Sequence, residues 1–155
     1  ALERELYNSG ILCRILDGDN IRTGINNNLG FTETDRVENI RRIAEVAKLF
    51  VDCGVVTIAA FISPTEQIRQ MAADIIGKDD FFEIYVNTPL EICEERDVKG
   101  LYKKARQGEI KNFTGISAPF EAPLNPAITI DTSACSLEES VNLLKKIIIP
   151  QIKPI

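Results

Sequence analysis

The run Val55-Val56-Thr57-Ile58-Ala59-Ala60-Phe61 is continuously apolar, rich in β-branched residues and bounded by Gly54 and Pro64. A short unbroken run of this kind predicts a strand buried on both faces. Ile11 to Leu16, Phe81 to Val86 and Ala127 to Ile130 read the same way, and the first of them ends in Asp17-Gly18-Asp19. Between these runs the period changes. Val37, Ile40, Ala44, Ala47 and Val51 recur at helical spacing, as do Leu137, Val141, Leu144 and Ile148. The opening stretch, Ala1 to Leu6, reads as the middle of a helix already under way. Strands buried on both faces and alternating with helices predict an α/β domain, a parallel sheet with helices on both faces. A chain of 155 residues is one such domain.

Gln107 to Pro126 fits neither period and carries three prolines and two glycines. A stretch that long inside a compact domain is commonly a functional lid or is disordered. It is led into by a basic segment, Arg96 to Lys111, with six basic and two acidic residues and a local charge of +4. That segment stands out because the chain as a whole carries −5, which argues against general binding to nucleic acid or a membrane surface. The apolar runs all fall short of the ~18 residues of a membrane span. Cys13, Cys53, Cys93 and Cys135 lie far apart with no C-x-x-C pair, so reduced thiols in a cytoplasmic protein are expected. With no histidine, acid–base chemistry falls to carboxylates.

In open α/β sheets ligands bind beyond the carboxyl ends of the strands, and four polar features fall there. Asp17-Gly18-Asp19-Asn20-Ile21-Arg22 offers two carboxylates for a hydrated Mg²⁺ or a hydroxyl, and an arginine for a phosphate or sulfate oxygen. It is also what an Asp-Gly turn followed by an Asp19 helix cap looks like. Phe61-Ile62-Ser63-Pro64 reads as a Ser63 cap on a helix starting at Pro64, whose N–H groups also suit an anion. The remaining two are Cys93 to Asp97 and the small polar loop Asp131 to Cys135.

Longer blocks sharpen these features. Leu16 to Gly24, Leu29-Gly30-Phe31, Asp35 to Arg42, Ala47 to Phe50, Phe61 to Pro64, Arg96 to Arg106 and Glu109 to Ile116 occur in the order found in the adenylylsulfate kinase family. The chain resembles that family over nearly its whole length. The resemblance implies the fold of the phosphate-loop nucleoside-triphosphate hydrolases, with ATP and Mg²⁺ as cofactors and adenylyl sulfate as the acceptor. It implies that Asp17 sits close to the metal, that Asp19, Asn20 and Arg22 contact the acceptor, and that Asp19 lies near its 3′-hydroxyl. Phe31 and Phe113 should enclose the acceptor's adenine. Arg36 and Asn39 should meet the phosphosulfate, with Ile62 and Ser63 beside them. Ser63 matches a position that is phosphorylated in some members and is included among the catalytic candidates with Asp17 and Asp19. Lys99, Leu101, Lys111 and Asn112 belong to the lid and its root, and Arg96, Thr132 and Cys135 to the resting place of the ATP adenine.

The chain departs from the family pattern at Thr65-Glu66-Gln67-Ile68, where basic residues are common, and at Ala73, where an arginine is common. A G-x-x-x-x-G-K-[ST] loop is not found in residues 1–155. The resemblance places that loop just upstream of Ala1, after a central strand that would lie between the strands at Val55 and Phe81. The domain is therefore expected to be N-terminally incomplete as written. Two rivals to the kinase reading are a different nucleotide kinase of the same fold and a non-catalytic nucleotide-binding module. The resemblance also implies a homodimer and allows fusion to, or association with, a sulfate adenylyltransferase.

Overall fold

The computed structural model describes residues 1–152. Four strands alternate with helices: β1 is Cys13–Asp17, β2 Val56–Ala60, β3 Ile84–Asn87 and β4 Ile128–Asp131. All pairing between them is parallel, in register Ile15 with Ile58 for β1 and β2, and Val86 with Ile130 for β3 and β4. The strands make two parallel pairs. Between the pairs runs a cleft of about 1120 Å³, walled by residues of β2 on one side and β3 on the other. A smaller cavity of about 290 Å³ opens beside Ile15, Ile58, Val86 and Ile130.

Helices cover both faces of this framework. α1 (Leu2–Asn8), α2 (Gly18–Thr23) and α3 (Glu33–Asp52) come first in the chain. α4 (Glu66–Ile76), α5 (Leu90–Arg96), α6 (Leu101–Arg106) and α7 (Leu137–Ile148) follow. The long α3 starts cleanly because Thr32 and Asp35 form a reciprocal capping box. Gly30 makes room for that box, since a β-carbon there would lie 2.9 Å from the Asp35 carboxylate. Ile40 and Ala44 of α3 pack with Ile68 and Ala72 of α4, and Ile43 and Ala47 pack on Leu16 of β1. On the other face Ile15 and Ile58 look towards Val141 and Leu144 of α7. α1 is tied to α7 by Lys145, which donates to Glu5 at 2.9 Å.

Some boundaries move from where the sequence alone puts them. The third strand begins at Ile84 instead of Phe81, because Phe81 packs against the α3–α4 core before the chain turns into the sheet. The fourth helix begins at Glu66 with Thr65 as its cap, so Ser63 does not cap a helix starting at Pro64. The α2 cap is Asp17, whose side chain accepts from the N–H groups of Asp19 and Asn20, and Asp19 is left outside that role.

Candidate functional site

The carboxyl ends of β1 and β2 and the segments Leu29–Asp35 and 97–121 share one rim. Asp17 ends β1 and fixes its carboxylate by capping α2, with both bonds going to Oδ1 at 2.9 and 3.4 Å. Asp19, exposed on the first turn of α2, pairs with Lys99 from the turn that precedes α6. That pairing raises the Lys99 pKa through the hydrogen bond and the charge of Asp19. Both partners stand in solvent, so the link is screened and easily exchanged for another ligand.

Around Phe31 two arginines converge. The Arg22 guanidinium lies 4.4 Å from the centre of the Phe31 ring and donates to the carbonyls of Leu29 and Gly30 at 3.2 and 3.0 Å. Arg36 donates to Phe31 O at 3.2 Å and to Asn112 O at 2.6 Å. These bonds go to neutral carbonyl oxygens. Burial, and then repulsion from Arg22, push the Arg36 pKa down. Two cations close enough to repel, each bonded to carbonyls, make a place for an anion. Because Arg36 holds Phe31 and Asn112 together, it also brings Phe113 to the same rim.

The segment expected to act as a lid is folded by its own hydrogen bonds. The carbonyl of Phe113 accepts from the N–H groups of Ile116, Ser117 and Ala118, and Ser117 Oγ accepts from Phe113 N at 2.9 Å. Asn112 takes φ of 56°, the left-handed turn that an asparagine tolerates. Tyr102 of α6 meets the Phe113 ring edge-on, with centroids 5.1 Å apart. Its hydroxyl is pushed up to about 12, first by burial and then by the neighbouring Cys93. Leu101 opens α6, whose first N–H groups are capped by the Asp97 carboxylate. Lys111 is exposed beside Asn112.

Other candidates are placed differently. Asn39 is 5% exposed and its side-chain carbonyl accepts from Asn26 at 3.0 Å, so that oxygen is committed to the interior. Asn20 is exposed on α2, and Ile62 is exposed on the loop after β2, next to Ser63. Arg96 lies at a separate corner. It donates to Thr132 Oγ1 at 3.0 Å and Thr132 O at 2.7 Å, and Cys135 follows on the same loop. Three residues escape a reading by motif. Asn26 is fully buried, Arg69 is buried under the Ser63 loop, and Glu121 reaches back to α4 from the end of the lid. Arg69 carries the one available signal, a charge on the apolar face of a helix, whereas the other two act through distant contacts.

A family profile described as adenylylsulphate kinase matches residues 1–131. The chain is 74% identical over 152 residues to an adenylyl-sulfate kinase of Bacteroides fragilis, covering 98% of this chain and 75% of that protein. It is 57% identical to one from Clostridium kluyveri, covering 91% and 70% of the two chains. Among solved structures it resembles the Mycobacterium tuberculosis APS kinase in complex with AMPPNP and APS. That match has a TM-score of 0.91 and 43% identity and covers 96% and 86% of the two chains. By sequence and by fold, the chain belongs to the adenylylsulphate kinase family.

Proposed function

We propose that the chain is an adenylyl-sulfate kinase, transferring the γ-phosphoryl group of ATP to the 3′-hydroxyl of adenylyl sulfate. The observation that carries this reading is the pair Arg22 and Arg36, both bonded to carbonyls around the exposed ring of Phe31. A phosphosulfate would complete their hydrogen bonding, and Phe31 with Phe113 would hold the adenine between two rings. Ile62 and Ser63 would border the same anion, and Lys99 would exchange Asp19 for substrate oxygens as the lid closes.

Asp19 would then accept a hydrogen bond from the 3′-hydroxyl and aim its oxygen at the γ-phosphorus. The bond from the 3′-oxygen to the γ-phosphorus forms as the bond from that phosphorus to the β–γ bridging oxygen breaks; the hydroxyl proton passes to the Asp19 carboxylate and ADP leaves. Asp17 fits a hydrated Mg²⁺, because its capping bonds use one oxygen and leave Oδ2 available. No group of three metal-ligating side chains occurs among the described residues, so phosphates and water would supply the remaining ligands, which is how Mg²⁺ is commonly held. The metal would neutralise charge developing on the phosphates. Arg96 and the Thr132 loop would border the ATP adenine.

The test is product analysis in protein that carries a phosphate loop, with ATP, Mg²⁺ and adenylyl sulfate. ADP and 3′-phosphoadenylyl sulfate should appear one for one. Asp19→Asn should slow turnover roughly 10²-fold, on the scale of a lost general base. Turnover of AMP in place of adenylyl sulfate, or near-normal turnover in the Asn variant, would contradict the assignment.

A further inference from the structure

The Ser63–Glu66 turn, which joins β2 to α4, is held from two sides. From inside, Arg69 is 7% exposed and donates to Ser63 O at 2.8 Å and to the Glu66 carboxylate at 2.7 Å. Its Nε lies 3.1 Å from Glu83 Oε1 without the alignment of a hydrogen bond. Burying a guanidinium is costly unless it is paired, and packing alone would be served by an apolar side chain at this position. What the guanidinium adds is its reach to the Ser63 carbonyl, which fixes the peptide plane beside Ile62 and Ser63.

From outside, the turn is held by the far end of the lid. Glu121 N donates to Pro64 O at 2.8 Å, and Glu121 Oε2 accepts from Glu66 N at 2.7 Å. The preceding residue, Phe120, stacks on Tyr85 of β3 with centroids 6.2 Å apart. The carboxylate also faces the first turn of α4, where the helix dipole favours a negative charge. The lid is therefore tied at both ends: Arg36 holds its Asn112 side to Phe31, and Glu121 holds its exit to the turn beneath Ile62 and Ser63.

We propose that Glu121 is a positioning residue that couples the lid to the Ser63–Glu66 turn, so that the lid's docking sets where Ile62 and Ser63 meet the acceptor. This rests on the proposed role of Ile62 and Ser63 at the phosphosulfate. Glu121 touches no substrate itself and acts through the Glu66 N–H and the Pro64 carbonyl.

Because Glu121 is exposed, its variants should fold. The experiment compares the parent protein carrying a phosphate loop with its Glu121→Ala and Glu121→Gln variants by three readouts. These are the melting temperature, calorimetric affinity for adenylyl sulfate, and hydrogen exchange of residues 61–66. Glu121→Ala should weaken affinity roughly threefold to tenfold, the scale of one lost charge-assisted hydrogen bond, with Tm within about 3 °C of the parent. Exchange across residues 61–66 should quicken. Glu121→Gln keeps an oxygen for the Glu66 N–H and should restore both. Unchanged affinity and exchange in the Ala variant would overturn the proposal, as would a loss in the Gln variant equal to that in the Ala variant. A fall in Tm large enough to account for the affinity loss would overturn it too. If the parent protein carrying the phosphate loop fails to bind adenylyl sulfate, the kinase reading falls. Exchange then decides the coupling alone: quickening in Ala with recovery in Gln supports it, and no change refutes it.

Discussion

The residues at the rim divide by what they are bonded to. Arg22 and Arg36 bond to neutral backbone carbonyls, whereas Arg41 and Arg42 pair with the Glu38 carboxylate. Phe113 is different again, an apolar ring held on the rim by Tyr102 and by the turn of its own carbonyl. Phe113→Ala removes one face of the proposed adenine enclosure. The expected cost is roughly 1–3 kcal/mol of adenylyl sulfate binding, the scale of one base stacked on an aromatic ring. The fold should survive, since Phe113 lies outside both core clusters. Calorimetry giving the parent affinity would remove the enclosure. Asp17 and Asp19 show how far a motif carries. Their presence after a strand was readable, but which one caps α2 depends on the backbone turn. The cap falls to Asp17, leaving Asp19 outside it and paired with Lys99.

At the scale of elements, α3 was the most legible through its apolar stripe, while its Thr32–Asp35 capping box, although local in sequence, emerged only in the structure. α7 has the same two features, with Ser136 and Glu139 at its start. The lid was legible only as a stretch that fits no period. Its order comes from contacts that no window of sequence contains, such as Arg36 with Asn112 and Glu66 with Glu121, 76 and 55 residues apart. α3 also sets an acid limit on stability. Glu38 is held down to about 2, from an ordinary 4.5, by its hydrogen bonds to Arg41 and then Arg42. A carboxylate with a depressed folded pKa contributes stability above its unfolded value, and that contribution is lost as pH falls through the folded one. Replacing Glu38 by Gln should therefore lower Tm at neutral pH, and the gap between variant and parent should shrink as pH falls from about 4.5 towards about 2. A gap that stays constant through that window would show that the pairs with Arg41 and Arg42 contribute nothing.

Over the whole molecule, alternating strands and helices were enough to give the class of fold and the parallel pairing. Strand order is set by contacts between distant segments and came from the family resemblance instead, which put a further strand between the runs at Val55 and Phe81, where the cleft between β2 and β3 lies. The proposed acceptor rim draws on α2, the start of α3, the loop after β2 and the lid, so its chemistry would exist only once those four segments meet. The claim that joins them is that the rim selects a sulfate-bearing nucleotide through Arg36, and one comparison tests it. Adenylyl sulfate and AMP are titrated calorimetrically into the parent protein carrying a phosphate loop and into its Arg36→Ala variant. The two ligands share the adenine that the phenylalanines would enclose and differ in the sulfate. The parent should prefer adenylyl sulfate by roughly tenfold or more, as expected for charge-assisted bonds to the added group, and the Ala variant should lose most of that preference. Equal affinity for the two ligands in the parent, or a preference that survives in Arg36→Ala, would contradict it.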